Sequence, residues 1–230
     1  MKEIVINKIK IILVGVLAGL FIGIGGALNI VFLSLDLPYL GALAFPIGLF
    51  FVCYLDVYLF TGKVGYIFYN NKCYKINVLF GILGNIIGAV LLGLIFNYVY
   101  PLNTSVFNPE TFINAKIIDL FNFDLNKFFI FFIQSMMAGI FVYLAVEAFK
   151  KFENHFAKIA GIFAMIFAMV FLKAEHSVAN LFYYGAFFNY LKCDVLSLIF
   201  SIVIAILGNS LGSLTICGIF RLAKKADCTK

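Results

Sequence analysis

Charge is scarce in this chain. Only 12% of its 230 residues are charged, about half the share of a typical soluble domain. So few charges cannot keep a globule with 64% hydrophobic residues in water, which excludes a soluble enzyme and a nucleic-acid-binding module. Cysteine is present but never clustered. Cys53, Cys73, Cys193, Cys217 and Cys228 stand singly, with no C-x-x-C or metal-ligand spacing, which excludes a disulfide scaffold and a cysteine metal centre. No cofactor motif and no metal-ligand set is present. Histidine occurs twice. His155 lies among Lys151, Glu153 and Lys158 and reads as solvated; His176 sits in an apolar run.

What is abundant is hydrocarbon. Mean hydropathy is +1.07, so lipid must be the solvent for most of the chain. A spanning helix needs about 20 mainly apolar residues. Six stretches qualify, near 9–33, 39–60, 76–99, 127–149, 157–190 and 194–220. The first is too long for a cleaved signal peptide and is expected to be a mature helix. Thr61-Gly62-Lys63 interrupts the second. Lys173, Glu175, His176 and Asn180 interrupt the fifth, which is too long for one straight span. Both are expected to be broken helices.

The net charge of +6 follows membrane topology. Cytoplasmic loops carry the excess of Lys and Arg. With the N-terminus inside, thirteen basic residues (Lys2, Lys8, Lys10, Lys63, Lys72, Lys75, Lys150, Lys151, Lys158, Arg221, Lys224, Lys225, Lys230) fall inside. Three (Lys116, Lys127, Lys192) fall outside, and Lys173 falls in the membrane. Both termini are therefore expected to be cytoplasmic. The outer loop of about 100–126 is broken by Pro101, Asn103, Asn108 and Pro109. Its apolar second half is expected either to lie on the membrane interface or to dip into it.

Short strings recur. Ala18-Gly19-Leu20-Phe21 returns as Ala138-Gly139-Ile140-Phe141. Gly84-Asn85-Ile86-Ile87-Gly88 returns as Gly208-Asn209-Ser210-Leu211-Gly212. The halves, about 9–99 and 127–220, hold three spans each. An odd number inverts the second half, so a single transmembrane domain over 1–230 of two inverted repeats is expected. Proteins of this build place their site near the midplane, at broken helices in corresponding positions.

The break residues carry the chemistry. An ionisable group within a span usually faces a bundle interior or a wet cavity, which places His176 on a pathway. Thr61 reads as a helix cap at its break, as a substrate contact, or as both. Glu175 is expected to accept backbone amides freed at the break. Lys173, three residues before His176, shares a helix face with it. It either lines the pathway or pairs with Glu147, Glu175 or Asp56.

These strings resemble the formate/nitrite transporter family over nearly the whole chain. The resemblance rests on Ala18 to Gly26, on Phe45-Pro46-Ile47-Gly48-Leu49, on Leu59-Phe60-Thr61-Gly62, on Gly84-Asn85, on Glu175-His176-Ser177-Val178-Ala179-Asn180 and on Gly208-Asn209. It implies an all-α, aquaporin-like fold of six helices, assembled as a homopentamer in the cell inner membrane, with one pore per protomer. The implied substrates are small monovalent weak-acid anions such as formate, nitrite, hydrosulfide or short carboxylates. By motif, His176 is the central pore residue, Thr61 reaches toward it, and Asn180 follows on the same half-helix. Phe45, Leu49, Val142 and Met169 form apolar constrictions. The chain departs from the family pattern at Tyr58, Lys63, Gly139, Met169 and Lys173, where Glu, Asn, Asn, Phe and Gly are usual.

The expected mechanism follows from desolvation. A bare anion crosses a dry apolar ring at high cost, whereas its protonated acid is neutral. Lysines gather the anion, a proton joins it, and His176 handles that proton. The rival is an aquaporin-type pore for water or neutral solutes. That build needs paired Asn-Pro-Ala half-helices, and the chain has only Asn108-Pro109 in the outer loop. A membrane enzyme would need further polar clusters, and an interaction subunit would have no use for two polar breaks.

Overall fold

The computed structural model describes residues 2–100 and 105–227, with side chains described over 6–100 and 105–224. Pro101, Asn103, Cys228 and Lys230, and the side chains of Lys2 and Lys225, lie outside these. Every regular element among the described residues is a helix, without a strand. In order they form α1 (Lys2–Ser34), α2 (Pro38–Ala44), α3 (Pro46–Tyr54), α4 (Phe60–Lys63), a 3₁₀ turn (Val64–Tyr69) and α5 (Lys72–Val99). Then come α6 (Pro109–Asn114), α7 (Leu125–Lys151), α8 (His155–Phe171), α9 (Ser177–Ala186), a 3₁₀ turn (Phe188–Tyr190) and α10 (Val195–Asp227).

Four helices, α1, α5, α7 and α10, are long and apolar enough to cross a membrane. Side-chain caps start most helices. Asn71 accepts the Tyr74 amide, Asp124 those of Asn126 and Lys127, and Asn154 that of Ala157, each satisfying a donor that the first turn leaves free.

Helix α1 packs along α5, and α7 along α10. Small residues set both contacts. A Cβ on Gly88 would meet the Val16 carbonyl oxygen at 2.1 Å, and one on Gly212 the Met136 carbonyl oxygen at 2.0 Å. The backbones touch there, as close helix packing in lipid requires.

The second predicted span differs from 39–60. Pro46 has no amide to continue a helix, so α2 stops at Ala44 and α3 starts at Pro46. Helix α3 then ends at Tyr54, before the break expected at Thr61. The fifth stretch likewise stops at Phe171, and Ser177 to Asn180, expected within the break, are helical. In the loop between α5 and α7, Ile113, Ile117 and Ile118 are buried against the bundle. That part of the loop packs inward on the protein, while Phe121 is exposed.

Candidate functional site

Two interruptions build the site, and both are made the same way. After α3, the Val57 amide reaches back to the Val52 carbonyl at 3.1 Å, and Asp56 takes a φ of 47°. After α8, the Ala174 amide reaches back to the Met169 carbonyl at 3.0 Å, and Lys173 takes a φ of 54°. This six-to-one bond across a left-handed residue is the Schellman helix end. Glycine is the usual occupant of that conformation; here an aspartate and a lysine hold it.

Each break is then held by an asparagine from a long helix. Asn85 donates to the carbonyls of Gly15 and Tyr58, both at 2.9 Å, and accepts the Phe60 amide at 2.8 Å. Asn209 donates to the carbonyls of Ser135 and Glu175 at 2.7 and 2.9 Å, and accepts the Ser177 amide at 2.9 Å. Backbone polar groups away from water need such partners. Both side chains are almost fully buried.

The two breaks meet at Thr61 and His176. Thr61 Oγ1 lies 2.9 Å from His176 Nε2, and both residues are buried. His176 caps α9, with Nδ1 accepting the Ala179 amide at 3.2 Å. An accepting Nδ1 carries no proton, so the neutral ring places its proton on Nε2, which donates to Thr61. The Thr61 hydroxyl proton is left for another acceptor.

Beside this pair, Glu175 receives the Lys116 ammonium on both oxygens at 3.1 Å and the Asn180 amide nitrogen at 2.8 Å. It therefore accepts side chains and not the backbone amides expected of it. The Lys116 ammonium also lies 5.2 Å from the centre of the Phe112 ring and 5.3 Å from that of Tyr183.

A cavity of about 470 Å³ opens next to His176. It brings together five predicted site residues: Phe45, Met169, Lys173, His176 and Asn180. Phe45, Met169 and His176 are buried in its lining. Leu49, Val142 and Thr61 are outside its lining. Leu49 and Val142 are buried in the same apolar cluster as Phe45 and Met169, and Thr61 joins the site through His176. Lys173 lines the cavity and makes none of the expected ion pairs. Glu147 is taken by Lys151 and the Tyr66 hydroxyl, Glu175 by Lys116 and Asp56 by Lys63. Among the described residues no group of His, Cys, Asp and Glu could hold a metal ion.

A family model described as formate/nitrite transporter matches residues 1–223. The chain belongs to that family. Membership makes this a multi-pass transport protein of a family named for two small anions, and not an enzyme. Two solved structures share the fold. A "Pentameric formate channel with formate bound" is 20% identical with a TM-score of 0.75, over 96% of this chain and 98% of that one. An "FNT family ion channel" is 20% identical with a TM-score of 0.76, over 95% and 91%. No curated protein sequence matches the chain.

As a formate/nitrite transporter relative, the chain holds site residues that its motifs alone do not reveal. Lys116 comes from the α6–α7 loop, 59 positions before its partner Glu175, and nothing local marks it. Asn85 and Asn209 did leave a signal, the repeated Gly-Asn string, which marked an internal repeat and not a brace. Asn29 lines the cavity and accepts the Tyr183 hydroxyl at 3.3 Å with no motif to flag it.

Proposed function

We propose that this protein passes small monovalent weak-acid anions across the cytoplasmic membrane, proton-linked, through a pore in each protomer. The observation that carries this reading is the buried Thr61–His176 pair, which joins two helix breaks and sets His176 in the wall of an open cavity. The matched caps, asparagine braces and glycine contacts support six spans in two inverted halves, about 9–99 and 127–220. In that arrangement α2 and α3 with α4, and α8 with α9, serve as the interrupted spans. The distribution of Lys and Arg supports cytoplasmic termini, with the cavity facing outward. The pentamer among the solved structures of this fold supports five-fold assembly.

In this reading Lys173 draws the anion into the cavity. The charge of Lys116 is already balanced by Glu175. Phe45 and Met169 offer no compensating charge, and stripping water from an ion there costs on the order of several kcal/mol. The anion therefore crosses as its neutral acid. Thr61 presents a hydroxyl proton to it, and His176 is the group placed to exchange a proton at Nε2. Asn180 lines the approach with its amide nitrogen fixed on Glu175. Leu49 and Val142 form the constriction beyond. Proteoliposomes challenged with sodium formate, nitrite, acetate and hydrosulfide, and with glycerol, test this. Flux of the salts without glycerol is expected; flux of glycerol alone would replace the reading with a neutral-solute pore.

A further inference from the structure

The outer cavity is far larger than a one-carbon anion requires. At about 470 Å³ it falls within the roughly 300–1,000 Å³ of sites that enclose drug-sized organic molecules. Its walls include the rings of Tyr39, Phe107, Phe112 and Phe171. Tyr39 and Phe171 stack with centroids 5.7 Å apart and are 66% and 51% exposed, so an aromatic face is open beside the cavity.

One charge in this lining is uncompensated. Lys116 and Glu175 cancel, and among the described residues Lys173, two residues after Phe171, has no acid or hydrogen bond on its ammonium. Its backbone φ of 54° follows from the Schellman end of α8, so the helix end itself sets the lysine at the cavity wall. Phe45, Met169 and His176, each 2% exposed or less, are buried in the lining, and we take them as the floor toward the pore centre. An apolar chamber with one free cation and a floor shut to bulky groups has a defined complement.

We infer that the cavity is a binding site for amphipathic monocarboxylates, which set the carboxylate on Lys173 and the apolar body against the Tyr39–Phe171 and Phe112 rings. Such a molecule is too broad for the Phe45–Met169 floor. It binds without crossing and obstructs smaller anions arriving from the same side. The inference rests on the channel reading for the obstruction, while binding itself can be read without it.

The test uses the purified full chain and phenylacetate as probe. Calorimetry in detergent is expected to show saturable binding, at least about tenfold weaker for the neutral phenylacetamide. Lys173→Gln is expected to weaken phenylacetate to the same degree, with Lys173→Arg restoring it. Phe171→Leu, an exposed change that spares folding, is expected to weaken both ligands. In proteoliposomes, external phenylacetate is expected to slow formate entry competitively without entering through the protein. Absent saturable binding, equal affinity for the amide, indifference to Lys173→Gln, or channel-borne entry of phenylacetate each overturns the inference. Phenylacetate binding in a protein that moves no anion would sink the channel reading and leave the binding site standing.

Discussion

Asn85 on α5 and Asn209 on α10 make the same three hydrogen bonds, 124 positions apart in the chain. Each ties one backbone carbonyl of a neighbouring long helix to one carbonyl and one amide in the gap between two short helices. The breaks are thus built twice from one plan, and the polar pair they carry is held by side chains that never face the cavity. Removing a brace strands the two buried backbone groups at its break, Tyr58 carbonyl and Phe60 amide or Glu175 carbonyl and Ser177 amide, each costing about 1–3 kcal/mol. Asn85→Leu and Asn209→Leu are each expected to lose about 3 kcal/mol or more, read as thermal denaturation of the protein in detergent. A loss below about 1 kcal/mol in both would show the breaks to be held by something else.

Glu175 and Lys116 form a nearly buried ion pair, with side chains only 6% and 12% exposed. Deleting one partner of such a pair costs about 3–5 kcal/mol because the other charge is left without a partner, whereas replacing both costs far less. Lys116→Met is therefore expected to be more damaging alone than with Glu175→Gln added. Stability of both single variants and the double variant checks it; strictly additive losses would contradict the pairing.

Lys173 occupies a conformation that disfavours a side chain by about 1–2 kcal/mol. Lys173→Gly is expected to raise stability by about 1 kcal/mol while raising the formate concentration at half-maximal flux. Lys173→Met is expected to share the flux defect without the gain in stability. Flux unchanged in Lys173→Met would remove the lysine from the pathway.

Asp194 sits outside the spans, at the start of α10. Its carboxylate accepts the Ser197 hydroxyl at 2.6 Å and the Ser197 amide at 2.8 Å, which hold it below the ordinary carboxylate value. A lowered carboxyl contributes stability above its unfolded value and loses it as pH falls through the folded one. The first turn of α10 is thus expected to loosen below about pH 4. Amide exchange of residues 195–198 measured down to pH 3 checks this, and Asp194→Asn is expected to abolish the dependence.

Much of the architecture was legible because lipid imposes a simple code. The apolar runs of α1, α5, α7 and α10 announce themselves, and the recurring Gly-Asn strings mark matching contacts. The break positions were displaced because Schellman ends are normally signalled by glycine, and Asp56 and Lys173 stand there instead. Pro46 was visible, yet its interruption of the second span was not drawn from it. Phe45, Leu49, Val142 and Met169 look like any core residues, so only family resemblance singled them out. The partner of Glu175 was hidden because Lys116 arrives from a loop whose course no local pattern encodes.

The central claim is that anions cross each subunit past His176, which handles their proton. Formate flux through proteoliposomes across a pH series, in wild type and in His176→Asn, tests it most directly. Asparagine keeps a polar group of similar reach that does not titrate. The account expects flux to fall about tenfold or more, equivalent to about 1.4 kcal/mol of barrier, and the wild-type pH dependence to flatten. A pH profile superimposable on that of wild type, in a folded variant with undiminished flux, would contradict it.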